Sequence, residues 1–205
     1  MTNPPVPQLR APGGALLSVS LLLTLALLVS ACSGGDGGSA GKSKPSGSAS
    51  AAAPQLVTQS SLGAIAGRLS PGQRETVQTD VTAIVDDYTN WAYLVGDYPR
   101  TEWEFPVPGF SDRASRRVER DLELATNADI GGSIDSVTPV SRKVVIDVLS
   151  PKGKLAGATA RFKVVFDTQG EAGDAQVVAR GRLVLVPDGS SGWQVVGHYF
   201  FKGVS

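Results

Sequence analysis

The stretch Ala156–Asp167, AGATARFKVVFD, decides the fold. Ala158, Ala160, Phe162, Val164 and Phe166 alternate with Thr159, Arg161, Lys163 and Asp167. A period of two sends successive side chains to opposite faces of a pleated strand, so one face is apolar and the other wet. The same alternation recurs over 134–149, 175–186 and 193–202. Between these runs lie SPKG (150–153), QGEAG (169–173) and PDGSSG (187–192), all turn chemistry. Connections this short imply an antiparallel meander of four strands.

Alternation also assigns the two faces. The expected inner face carries Val144, Ile146 and Val148, the apolar set of 156–167, Val177, Ala179, Gly181, Leu183 and Leu185. In the last strand the same parity selects Trp193, Val195, Gly197, Tyr199 and Phe201. From Val144 onward this face holds no charge. The other face carries Lys143, Asp147, Arg161, Lys163, Arg180, Arg182, His198 and Lys202. Such one-sidedness is that of a sheet covered by helices on one side and wet on the other. The small residues Ala158, Ala160, Ala179, Gly181 and Gly197 leave room inside, either for Tyr88 and Trp91 of a covering helix or for a pocket.

Upstream the period is 3.6. Ser70, Pro71 and Gln73 form a helix start with a capping box. Val77, Val81, Ile84, Val85, Tyr88, Trp91, Ala92 and Val95 then share one face, predicting a helix over 71–95 closed by Gly96. On that helix Tyr93 and Asp86 point away from the stripe, and Asp86-Asp87 reads as a solvated flank. Ser111 caps a second predicted helix over 112–127, whose mixed charges read as a solvated face. Residues 56–69, LVTQSSLGAIAGRL, read as a short leading helix. The expected architecture is α+β, with N-terminal helices on one face of a curved, cone-like, four-stranded antiparallel sheet. Residues 97–110, DYPRTEWEFPVPGF, are interrupted by three prolines and read as a loop. Its Trp103, Phe105 and Phe110 either plug one end of the core or contact a partner or ligand.

The segment before residue 56 has a different character. Ser33–Pro54 is almost entirely Ser, Gly and Ala, with no large apolar residue, so 32–55 reads as a flexible linker and 56–205 as the one folded domain. A flexible chain of 22 residues spans about 25 Å. GxSxG, SxxK and GKS fragments occur between Gly37 and Ser43. They lack the strand–turn–helix context that their chemistry needs and read as chance matches. Before the linker, Ala15–Val29 is an apolar run of 15 residues, the length of a signal-peptide core and short for a membrane span.

That run closes on Val29-Ser30-Ala31-Cys32, which resembles the lipobox of bacterial lipoproteins. The resemblance implies a signal peptide over 1–31, cleavage before Cys32, and a diacylglyceryl group on the Cys32 sulfur. The protein would then be anchored at the outer face of the cytoplasmic membrane. Two other readings remain: an ordinary signal-peptidase site that releases a soluble protein, and an uncut anchor. Cys32 is the only cysteine, which excludes an internal disulfide, and lipidation gives it a purpose.

The composition excludes several classes. The 19 Lys+Arg balance 19 Asp+Glu across 205 residues, against the basic excess usual in a nucleic-acid binder. His198 is the only histidine, so no multi-histidine metal motif exists. No metal or other cofactor is expected.

The helices, the meander and a last strand reading Gly192-Trp193-Gln194-Val195-Val196-Gly197 resemble the nuclear transport factor 2-like superfamily over about 70–202. More narrowly they look like exported actinobacterial members, such as those associated with mammalian-cell-entry proteins. Enzymes of that superfamily place Asp, His or Tyr inside the cone for proton transfer. Here the expected inner handles are the hydroxyls and indoles of Tyr88, Trp91, Trp193 and Tyr199, which form the candidate pocket, with Asp80 or Asp87 at the helix edge as the one opening for an inward carboxylate. The leading expectation is therefore a lipid-anchored, extracytoplasmic, non-catalytic module. It would bind a small apolar ligand or a membrane-complex partner through the cone mouth and the 97–110 loop. The alternative is a proton-transfer enzyme of isomerase, dehydratase or cyclase type.

Overall fold

The structure is a computed structural model that describes residues 56–171, 173–189 and 192–204. The expected signal peptide (1–31), Cys32 and the expected linker with its chance motifs lie outside the described residues.

Five strands lie side by side in chain order: β1 (Thr58–Gly67), β2 (Ile134–Ser150), β3 (Gly157–Gly170), β4 (Ala175–Pro187) and β5 (Trp193–Val204). β2 to β5 form the antiparallel meander that period-two alternation requires. β1 pairs parallel to β2, so the sheet is mixed and five-stranded. This corrects the expected four-stranded antiparallel sheet led by helices. Among the described residues a strand comes first, and the helices lie on the long crossover that a parallel pair needs.

The correction falls on 56–69, which is a strand rather than a short helix. Thr58, Ser60 and Leu62 alternate inward, then a register shift between Leu62 and Ile65 resets the phase. That shift hides the period of two, and Gly and Ser are weak strand formers. Pairing with β2 overrides local preference here.

The capping box forms as expected. Gln73 N donates to Ser70 Oγ at 3.2 Å, and Ser70 N donates to Gln73 Oε1 at 2.9 Å. It starts α1 (Pro71–Thr89), which buries Val77, Val81, Val85 and Tyr88. The predicted helix over 71–95 ends early in a π-turn, Asn90–Leu94, where Val95 N donates to Asn90 O at 2.9 Å. The predicted helix over 112–127 is broken into α2 (Asp112–Arg120), capped by Ser111, and α3 (Leu122–Ala125). The core sits between α1, the π-turn and α2 on one side and the inner sheet face on the other.

Candidate functional site

Tyr88 is the centre of the space between helix and sheet. Its ring is fully buried and lies 5.2 Å from Phe110, 5.9 Å from Phe162 and, stacked, 5.2 Å from Phe200. Its hydroxyl donates to Ala125 O at 2.6 Å, and burial holds it well above the usual tyrosine range. The small inner-face residues thus admit rings. An ideal Cβ on Gly181 would lie 2.5 Å from the Phe162 ring and 2.8 Å from Phe200. The absent side chain is what lets those two aromatics meet over β4.

The π-turn changes the phase of the helix by inserting one residue. Tyr93, expected to point outward, is therefore fully buried and stacks on Phe166 at 5.9 Å. Trp91 moves to the rim instead. Its indole N–H donates to Glu104 O at 3.2 Å, and Phe105 stands edge-on to it at 5.6 Å.

The loop over 97–110 is tied down. Arg100 Nη1 donates to Trp91 O and Val95 O at 3.0 and 2.8 Å, and its guanidinium lies 4.5 Å over the Trp103 ring. Trp103 and Phe110 are buried, while Phe105 is 36% exposed. Trp103 and Phe110 thus pack inward, and Phe105 stands at the rim.

β5 holds the largest departure from the expected faces. Its register shifts between Val184↔Gly197 and Leu185↔Val195, leaving an extra residue opposite β4. A bulge of this kind flips every side chain beyond it. His198, Phe200 and Lys202 turn inward, while Tyr199 and Phe201 turn outward at 68% and 62% exposure. The inner face therefore carries charge-bearing residues, contrary to expectation.

Lys202 Nζ reaches Glu123 O at 2.8 Å, Thr126 O at 2.6 Å and the Asp129 carboxylate. It thus supplies donors to carbonyls at the end of α3, where a cation is favoured. The His198 side chain is only 2% exposed, and its ring stacks on Phe200 at 4.5 Å. Both ring nitrogens are buried without a hydrogen bond, and the nearest carboxylate oxygen, Asp121 Oδ2, lies 3.5 Å from Nε2. Burial lowers its pKa, which favours the neutral ring.

A second buried cation sits at the other edge. Arg142 shares the parity of Val144 and is 4% exposed. It meets Asp86 at 2.9 Å and donates to Thr58 Oγ1 at 2.6 Å, Thr89 Oγ1 at 2.8 Å and Asn90 Oδ1 at 2.9 Å. Asp86 is therefore a partner in the seam joining β1, β2 and α1, not a solvated flank. Burial raises its pKa, while the Thr58 hydroxyl and Arg142 oppose that rise.

The outer face of the sheet is open. Lys143, Lys163 and Arg180 stand in one cross-strand row, and Arg161 and Arg182 in the next. All five side chains are exposed. Phe201 continues the first row on β5, and Tyr199 the second. Asp147 meets Arg161 at 3.0 Å. A groove of about 420 Å³ runs among Arg161, Arg180, Arg182, Tyr199 and Phe201.

The four candidate pocket residues are thus not gathered into one site. Tyr88 and Trp91 lie 6.2 Å apart, Trp193 is buried at the start of β5, and Tyr199 is on the opposite face. Tyr93, Arg142, His198 and Lys202 were missed as interior residues. Gly197 inside a strand was the available sign of a bulge. No family model, no curated protein and no solved structure matches the chain.

Proposed function

We propose that this is a lipid-anchored extracytoplasmic protein whose domain works by binding a membrane-associated partner surface, without catalysis. The anchor rests on the lipobox-like Val29-Ser30-Ala31-Cys32 after a short apolar core. The domain reading rests on one observation. Aromatic rings occupy the space between α1 and the sheet, while cations and exposed aromatics crowd the opposite face. This favours a surface partner over a small apolar ligand held inside. The β2–β5 meander and its Trp193-led last strand support a kinship with nuclear transport factor 2-like proteins. The test is incorporation of a labelled fatty acid. The wild-type chain should carry label and fractionate with membranes, and Cys32→Ala should carry none. An unlabelled, secreted wild-type chain would overturn the anchor.

His198 beside Asp121 favours a second reading, the proton-transfer enzyme. A catalytic base must come within hydrogen-bond reach of its substrate. Both nitrogens of His198 are covered, which weighs toward the binding reading. Opening of that region on addition of a carbonyl substrate, seen as a titrating His198 signal in NMR, would favour the enzyme.

A further inference from the structure

The outer face of the sheet carries an arrangement that folding alone disfavours. Lys143 lies directly opposite Lys163, Lys163 opposite Arg180, and Arg161 opposite Arg182. Like charges directly opposed across strands are destabilising. Asp147 relieves only Arg161, and Asp167 lies further along β3 with Gln176 as its partner. Lys143, Lys163, Arg180 and Arg182 have no ion pair among the described residues, and local conflict of this kind is expected at functional surfaces.

We propose that this face docks onto the anionic lipid headgroups of the membrane that holds Cys32, a proposal that rests on the lipid-anchor reading. Arginine forks match phosphate oxygens, and three arginines border the groove of about 420 Å³. Tyr199 and Phe201 protrude beside them on β5, the edge strand. Amphipathic and aromatic rings settle at the membrane–water boundary.

The same charges disfavour a second copy of the chain meeting this face, because each cationic ladder would confront another. The tether decides between a membrane and a free acidic partner. A chain of about 23 residues holds the domain near the bilayer at roughly millimolar effective concentration, so modest contacts suffice.

The test uses the full lipidated chain in vesicles, with the photo-crosslinker p-benzoylphenylalanine at Tyr199 or, as control, at exposed Glu75 on α1. In vesicles of phosphatidylcholine with a third phosphatidylglycerol, position 199 should give at least tenfold more lipid adduct than position 75. The excess should vanish in pure phosphatidylcholine, at high salt, and in the folded Lys163→Glu/Arg180→Glu/Arg182→Glu variant, whose melting temperature is checked in parallel. Equal adducts at both positions, or an excess indifferent to charge reversal, would overturn the docking. So would preferential capture of added polynucleotide or acidic protein at position 199. The mass of the Cys32 peptide from the same preparation reports the anchor separately. A chain without lipid would refute the anchor, yet its position-199 adduct on added anionic vesicles would still read the docking.

Discussion

Replacing His198 and Tyr199 in turn tests the bulge that sets the polarity of β5. Without the bulge, Tyr199 would be an inner ring and His198 a surface residue. With it, the His198 side chain is 2% exposed and Tyr199 is 68% exposed. Truncating a buried aromatic ring costs about 3–5 kcal/mol. His198 returns part of this, because its two unpartnered nitrogens cost roughly 1–3 kcal/mol to keep buried. The net loss for His198→Ala is therefore about 2 kcal/mol, or roughly 4–8 °C in Tm for a domain of this size. Tyr199→Ala should stay within about 0.5 kcal/mol. The pH dependence carries an independent sign. Burial lowers the folded-state pKa of His198, so below its ordinary value of 6.5 the unfolded chain binds a proton that the folded chain resists. Stability contributed by His198 is present above 6.5 and falls as pH drops below it. That loss should disappear in His198→Ala. Urea denaturation at pH 7.5 and 5.5 reads both effects. A Tyr199→Ala variant weaker than His198→Ala would refute the bulge.

Arg142→Ala should cost about 3 kcal/mol by urea denaturation, since it strands Asp86, Thr58 and Thr89, and Asp86 retains enough solvent contact to keep the loss from being larger. Arg142→Lys should recover only part of that loss, because an ammonium cannot span the same partners. Gly181→Ala should cost about 1–3 kcal/mol by pushing a methyl into the Phe162 and Phe200 rings, read as a lower Tm with loss of near-ultraviolet aromatic signal. Ser70→Ala should cost about 1 kcal/mol through the lost helix cap, without altering any surface binding.

The meander, its turns and both helix caps were legible because each rests on local periodicity or a short cap signal. What was not legible arises where one residue is inserted. Val196-Gly197 in β5, the π-turn after Thr89 and the shift after Leu62 each change the phase of everything beyond them. Strict alternation or strict 3.6 spacing then assigns the wrong face, as it did for Tyr93, His198, Tyr199 and Lys202. β1 escaped notice for a further reason, since its weak strand residues depend on a partner 84 positions away, Arg142 at Thr58. The candidate pocket dispersed with the faces. The cationic outer rows on β2, β3 and β4 survived because pairing is unbroken from Ser141 to Leu149 and along β3 and β4, the two register shifts of β2 falling after Ile134 and after Pro139, before the stretch that set the face.

Tyrosine nitration followed by peptide mass analysis separates a closed interior from an open outer face in one measurement. The chain has four tyrosines, with Tyr88 and Tyr93 fully buried, Tyr98 half-buried and hydrogen-bonded to Tyr93 O and Asn127, and Tyr199 68% exposed. The native protein should be nitrated first at Tyr199, with Tyr88 and Tyr93 reacting only on unfolding. Binding at the outer face should then protect Tyr199. Ready nitration of Tyr88 or Tyr93 in the folded protein, with Tyr199 spared, would contradict the account by placing an open pocket between the helix and the sheet.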